Sequence, residues 1–555
     1  MQTDQPISLR MCTAYSTIHR LILFACLALA TACSSQASPN TPTPDLSRSA
    51  PSHPTKLVWA RAGDAESLDP HRSSTIFSWH VLDQMYDTLL AFGEDGQLVS
   101  NLAKDWLVSA DGKTITFVLH EDIVCHDGTP FDADDVKFTA DRALNADQPS
   151  LTQASWGPVS QVEIADPLTV KFSFTEPFAA FLPFMADPFA SMICDSNAEL
   201  GDEFGTHAAI GTGPWQLLSR TPGYEIVLER NPDYVKYGRP VANPGAPYLE
   251  QLVIHQISES YTRLSKLQDD EVQLISDPPL DEMEAIAQDP HFKTVLAENT
   301  GQAIFLQFTL SRPPFNDIRA RQAIAHAIDP DAAIASAWGG WVTREKCPAA
   351  GGMFGNDPDV CDGVDYAPDP EAAKAYLAEL GYSADNPLEV TLITWLGDNR
   401  EKIVDALKTQ LSDVGISADV EIMDISTMNS RVKLENQRDT GKGMFNLMGW
   451  AWYDPDILYA LWHSSGAYEG YHSDELDSLL EKTRTTMNPD ERLVAVQHVQ
   501  TYLLKNVIMI PVYTPGWSWI YASKSDIEGF KIGRFNRPLF NDVRIKHAST
   551  PDPQE

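Results

Sequence analysis

Apolar residues recur along this chain at two spacings, every second position in short runs and every third or fourth in longer ones. The first marks half-buried strands and the second amphipathic helices. Lys56 to Ala60 reads as a strand, followed by an apolar helix around Trp79 to Leu90. From Gly93 to Leu119 turn residues separate alternating stretches, as in Thr114-Ile115-Thr116-Phe117-Val118-Leu119. Further on, Asp369 caps a helix that begins at Pro370 and stops at Gly381, and Leu388 to Trp395 follows as a strand. Ile403, Leu407, Leu411 and Val414 then share one helix face, Gly415 ends that helix, and Ile416, Ala418, Val420 and Ile422 alternate. This strand-helix-strand unit predicts a partly parallel sheet with a ligand edge at its strand ends. Helices at Asp474 to Thr485 and Pro489 to Leu504 precede a buried strand from Val507 to Tyr513. No internal repeat is visible.

The N-terminal pattern differs. Arg10 and His19-Arg20 precede the apolar run Leu21 to Ala30, which is shorter than the roughly 20 residues a lasting membrane helix requires. It reads as the core of a signal peptide, with Met11 as an alternative start. Ala30-Thr31-Ala32-Cys33 resembles the lipobox of bacterial lipoproteins, which implies diacylglycerol on the Cys33 sulfur and anchorage to the outer face of the cytoplasmic membrane. That is the periplasmic side if the host has two membranes. Residues 34–54 are rich in Ser, Pro, Thr and Ala and bury too little apolar surface to order themselves, so they read as a tether with a reach of roughly 25 Å.

Length and charge narrow the function. A chain of 555 residues accommodates two or three lobes. With 77 Asp and Glu against 41 Lys and Arg it repels phosphate backbones, so nucleic acid is not an expected partner. Once the leader is removed four cysteines remain; Cys347 and Cys361 flank a short Gly- and Pro-rich loop and are expected to form a disulfide. Cys125 and Cys194 are left open between a bond and two buried thiols. No nucleophile elbow, zinc-protease helix, phosphate loop or paired-cysteine motif is present, so neither an enzyme nor a bound cofactor or metal is expected. Asp357, Asp359, Asp362, Gly363 and Asp365 lack the spacing and closing glutamate of a calcium loop and read as an acidic surface.

Several strings resemble the family 5 extracellular solute-binding proteins, the dipeptide, oligopeptide and nickel binding group. They include Asn101-Leu102-Ala103-Lys104-Asp105-Trp106, Ser109-Ala110-Asp111-Gly112-Lys113 and His126-Asp127-Gly128-Thr129-Pro130-Phe131 with Ala133-Asp134-Asp135-Val136. Gly211-Thr212-Gly213-Pro214-Trp215, Leu228-Glu229-Arg230-Asn231-Pro232-Asp233-Tyr234 and the run from Pro314 to Asp329 continue the same order. Most of these residues read as fold determinants: Gly128 for a turn, Asn316 or Asp317 for a helix cap.

The resemblance implies an α/β, periplasmic-binding-protein-like fold of type II, cluster C, with three lobes, mixed sheets and a two-strand hinge. Lobe I takes residues 55–88, 212–300 and 522–548, lobe II 89–211, and lobe III 301–521. It also implies a monomer that closes lobes I and III on a small solute and presents it to the permease of an ABC importer, without catalysis. In peptide binders of the group a tryptophan and an aspartate at one strand end take the peptide's ammonium. Trp450 matches the tryptophan, Trp452 and Tyr453 stand where the aspartate would, and Asp454 or Asp456 is the expected substitute. No arginine ends the Leu388 to Trp395 strand to receive a carboxylate; Asp398 and Arg400 come slightly later. Trp79, Trp395 and Trp517 complete the expected aromatic lining, with Trp519 beside them. A peptide or peptide-like solute is the leading expectation. An oligosaccharide or opine-type conjugate is the alternative within the fold, and a sensory or chaperone-like module without a transporter the alternative beyond it.

Overall fold

The computed structural model describes residues 56–148, 150–364, 366–397, 399–437, 441–466, 468, 471–514 and 520–546. Cys33, the tether and Trp517 lie outside them. Three larger sheets organise the described residues, and each is explained by what covers its faces.

A seven-stranded sheet gathers strands from distant parts of the chain. Lys56–Arg61 runs parallel to Gln251–Gln256 on one side and to Leu274–Ser276 on the other. The hairpin Trp215–Thr221 and Glu225–Arg230 extends one edge, and Ile520–Lys524 with Phe292–Leu296 the other. The sheet change therefore falls before Ile520, two residues ahead of the boundary expected at 522.

A four-stranded antiparallel sheet occupies the segment between the first two contributions. Thr114–Leu119 and Thr169–Phe174 bury every second side chain, as strands do when one sheet face meets a core and the other meets water. Helix Ala133–Ala143 is set by a reciprocal cap in which the Asp132 and Asp135 side chains each take the other end's amide. A disulfide joins Cys125 to Cys194, so the second expected option, two thiols, does not apply. Cys347 and Cys361 are also bonded.

The six-stranded sheet carries the parallel unit. Leu388–Trp395 pairs in parallel with Ile416–Met423 across eight consecutive positions and with Gly443–Ala451 on its other side. Seven of its eight residues are buried because helices cover both faces, and Arg400–Asp413 contributes Ile403, Val404, Leu407 and Leu411 to that cover. Asp369 caps Pro370–Glu379, and Gly381 (φ 86°) and Gly415 (φ 90°) sit where the chain leaves its helices left-handed. The helix predicted from Trp79 to Leu90 ends earlier: it spans Ile76–Met85, and Leu90–Phe92 is a strand. An unbroken apolar run carries no mark of where helix gives way to strand.

Between the seven- and six-stranded sheets the chain crosses first at 297–301. Gly301 adopts φ 67°, and a Cβ there would lie 2.1 Å from the Trp452 carbonyl oxygen. Its own carbonyl accepts the Trp452 amide at 2.9 Å and its amide donates to Gly351 at 2.9 Å. Only glycine satisfies both the backbone conformation and the approach. The return crossing, 515–519, lies outside the described residues.

Candidate functional site

Strand ends from both sheets converge on one cavity of about 1620 Å³. Ala62 follows the strand Lys56–Arg61, Asp277 follows Leu274–Ser276, and Trp395, Met423 and Trp450 close three strands of the six-stranded sheet. Parallel strands all finish at the same sheet edge, which is why loops following them meet there. The volume exceeds the roughly 300–1,000 Å³ of pockets for drug-sized ligands, so an extended solute of several units fits.

Five of the aromatic residues expected from sequence line it: Trp79, Trp395, Trp450, Trp452 and Tyr453. The strand Gly443–Ala451 places Trp450 opposite Ala303, and Trp452 and Tyr453 follow with rings stacked at 5.3 Å. Trp450 meets Tyr468 edge-on at 5.3 Å, and the Trp395 ring lies 3.5 Å from the Arg400 guanidinium carbon. Arg400 is thus packed behind an aromatic wall residue and does not itself line the cavity, while Asp398 lies outside the described residues. On the six-stranded side the lining continues as Leu396, Ile422 and Ile425, which are 70%, 41% and 42% exposed. Aliphatic side chains held that far open at strand ends are surface for a ligand or for the facing lobe to cover.

The two aspartates expected to bind solute do not line the cavity. Asp454 is fully buried, and its carboxylate accepts from Arg492 Nη1 and Nη2 at 2.8 and 2.7 Å. Asp456 is taken by Arg484 in the same two-pronged manner, at 2.6 and 2.8 Å. Burial raises the Asp456 carboxyl above its ordinary range despite that arginine. Both acids are internal ion-pair partners that fix the turn after the aromatic strand end, and this corrects the expectation drawn from the tryptophan-aspartate pattern.

A different acid reaches the cavity. Asp187 is 5% exposed and begins the short turn Pro188–Ala190, where its side chain accepts the Phe189 amide at 2.7 Å. The Trp79 indole nitrogen lies 3.4 Å from both carboxylate oxygens. Burial pushes the carboxyl up to about 7. Sequence reasoning missed it because Asp-Pro at the start of a turn reads as an ordinary cap. Glu66, Asp277 and Asp424 are the other acids of the wall, and Lys433 is its one lysine; no arginine or histidine lines it among the described residues.

A large aromatic cavity at the strand ends between two sheets is the kind of site that encloses a small solute. The profile of the bacterial extracellular solute-binding proteins, family 5 (middle region), matches residues 97–469, and the chain belongs to that family. It is a binding protein of an ABC importer. Relatives include the glutathione-binding protein GsiB of Salmonella paratyphi A, 26% identical over 506 residues that cover 88% of this chain and 94% of GsiB. GsiB of Pectobacterium atrosepticum is 29% identical over 393 residues, 69% of this chain and 72% of the relative. Among solved structures, the periplasmic binding protein DppA of Helicobacter pylori in complex with the peptide STSA is 25% identical and superposes with a TM-score of 0.72, covering 89% of this chain and 99% of DppA. CtaP of Listeria monocytogenes gives a TM-score of 0.76 at 22% identity over 89% of this chain and all of CtaP, a likeness of fold.

Proposed function

We propose that this protein captures a short peptide or peptide-like solute outside the cytoplasmic membrane and delivers it to the permease by lobe closure. The observation that carries the reading is the composition of the cavity wall: aromatic rings and exposed aliphatic side chains at the strand ends, with carboxylates and, among the described residues, one ammonium, Lys433. Such a wall desolvates apolar side chains and offers partners to both ends of a zwitterion. GsiB, a glutathione-binding protein, and DppA, seen in complex with the peptide STSA, add support.

In this reading the seven-, four- and six-stranded sheets are lobes I, II and III, and 297–301 is one strand of the hinge. Cys33 carries the lipid anchor, and residues 34–54 let the body reach the permease. A thermal-shift screen against di- to pentapeptides, oligosaccharides, opine-type conjugates and Ni²⁺ tests the solute class, because a ligand bound only by the folded state raises Tm. Shifts confined to peptides and peptide conjugates are expected; shifts confined to sugars or to Ni²⁺ overturn the reading. Mass spectrometry of protein from its own membrane tests the anchor, with a diacylglyceryl-modified Cys33 as the expected N-terminus.

A further inference from the structure

Of the acids in the cavity wall, Asp187 alone combines deep burial with lone pairs left over. Glu66 is exposed and accepts the Ser74 and Thr75 amides at 2.8 and 3.2 Å. Asp424 caps the helix Ile425–Asn436 through the Thr427 amide at 2.9 Å and also accepts the Thr427 hydroxyl. Asp277 is engaged as well. Asp187 has the Phe189 amide at 2.7 Å and one long indole contact shared between its two oxygens. Among the described residues no lysine, arginine or histidine lies within ion-pair distance of it. Arg537, whose charge is felt there, is paired with Asp83.

A carboxylate withdrawn from water without a cation is costly, and the cost is recovered when a cation is brought to it with a charge-assisted hydrogen bond. Trp79, Phe189 and Tyr453 line the cavity with it. We infer that Asp187 receives the positively charged group of the solute, the terminal ammonium of a peptide or an amine of similar size. It would thereby take the role that Asp454 and Asp456 cannot, since their arginines already occupy them. The inference rests on the reading that the cavity binds a peptide-like solute, and the test separates the two.

Calorimetric titrations compare wild type, Asp187→Asn and Asp187→Glu against a panel of di- to pentapeptides, the N-acetylated form of each, and phenethylamine. Wild type is expected to bind a free-amine peptide at least about tenfold more tightly than its N-acetylated form, the scale of one charged hydrogen bond. Asp187→Asn is expected to reduce that preference to about twofold or less, and Asp187→Glu to retain part of it. The wild-type comparison does not depend on how the variants fold, and melting curves establish that they do. Equal binding of free and acetylated peptides, or a preference unchanged in Asp187→Asn, overturns the role of Asp187 and leaves peptide binding intact. Phenethylamine binding that depends on Asp187, with no peptide bound, keeps the cationic subsite and removes the peptide reading. No binding of any probe removes both.

Discussion

Asp454 lies fully buried against Arg492, each carboxylate oxygen facing its own guanidinium nitrogen at 2.7 or 2.8 Å. Burial alone would depress the Arg492 guanidinium, and Asp454, with Asp456 and Tyr453 adding to it, raises it instead. Removing one partner leaves an uncompensated buried charge, which costs about 3–5 kcal/mol. Asp454→Ala is therefore expected to lower stability by that amount in urea unfolding, while the folded fraction binds solute with nearly unchanged affinity. A large loss of affinity with unchanged stability would return Asp454 to the binding site.

Gly301 links the sheet crossing to the aromatic wall through its two-way contact with Trp452. Gly301→Ala places a Cβ against the Trp452 carbonyl in a backbone conformation that costs non-glycine residues about 1–2 kcal/mol. Destabilisation of at least that size is expected, with weaker solute binding because Trp452 must shift. Melting curves and titrations on the same preparation check both.

The two disulfides close loops of different length. Cys125 and Cys194 are 69 residues apart and Cys347 and Cys361 are 14 apart. On the chain-entropy account the longer loop stabilises by roughly 1.4 kcal/mol more, within the usual range of about 2–5 kcal/mol. The double replacement of Cys125 and Cys194 by serine is expected to lower stability more than that of Cys347 and Cys361, as measured by denaturant midpoints.

Solute affinity should depend on pH through Asp187. Its folded-state pKa in the empty cavity is about 7, raised first by burial, with the Phe189 amide, Trp79 and Arg537 opposing and Asp83 adding to the rise. Tyr453 also faces it, with its phenol kept protonated by burial and by Asp187, Asp454 and Asp456. A cationic solute needs the ionised carboxylate, so affinity is full above pH 7 and falls as pH drops through 7, by up to about tenfold per unit. Above about pH 8 a terminal ammonium itself begins to lose its proton. Calorimetry between pH 5.5 and 8 should show this rise; a flat profile contradicts it.

How much of this was legible in the chain depended on whether the partners were local. The unit Leu388–Trp395, Arg400–Asp413, Ile416–Met423 is encoded by its own caps, periodicity and glycines, and the structure reproduces it nearly residue for residue. The aromatic wall was visible because rings cluster at strand ends. The roles of Asp454 and Asp456 were not, since Arg492 and Arg484 stand 38 and 28 residues away and nothing local announces them. Asp187 meets Trp79 across 108 residues, and only the folded chain puts that acid in the cavity. The seven-stranded sheet, in which Lys56–Arg61 pairs with Gln251–Gln256, is beyond any local pattern for the same reason.

The most direct test of the central claim is calorimetric titration of the purified protein and its Trp452→Ala variant with the peptide panel. Saturable one-to-one binding of at least one peptide by wild type, weakened about tenfold or more in the variant, is the expected result. Failure of every peptide to bind the folded protein, or peptide binding indifferent to Trp452, would contradict the assignment of this cavity to a peptide-like solute.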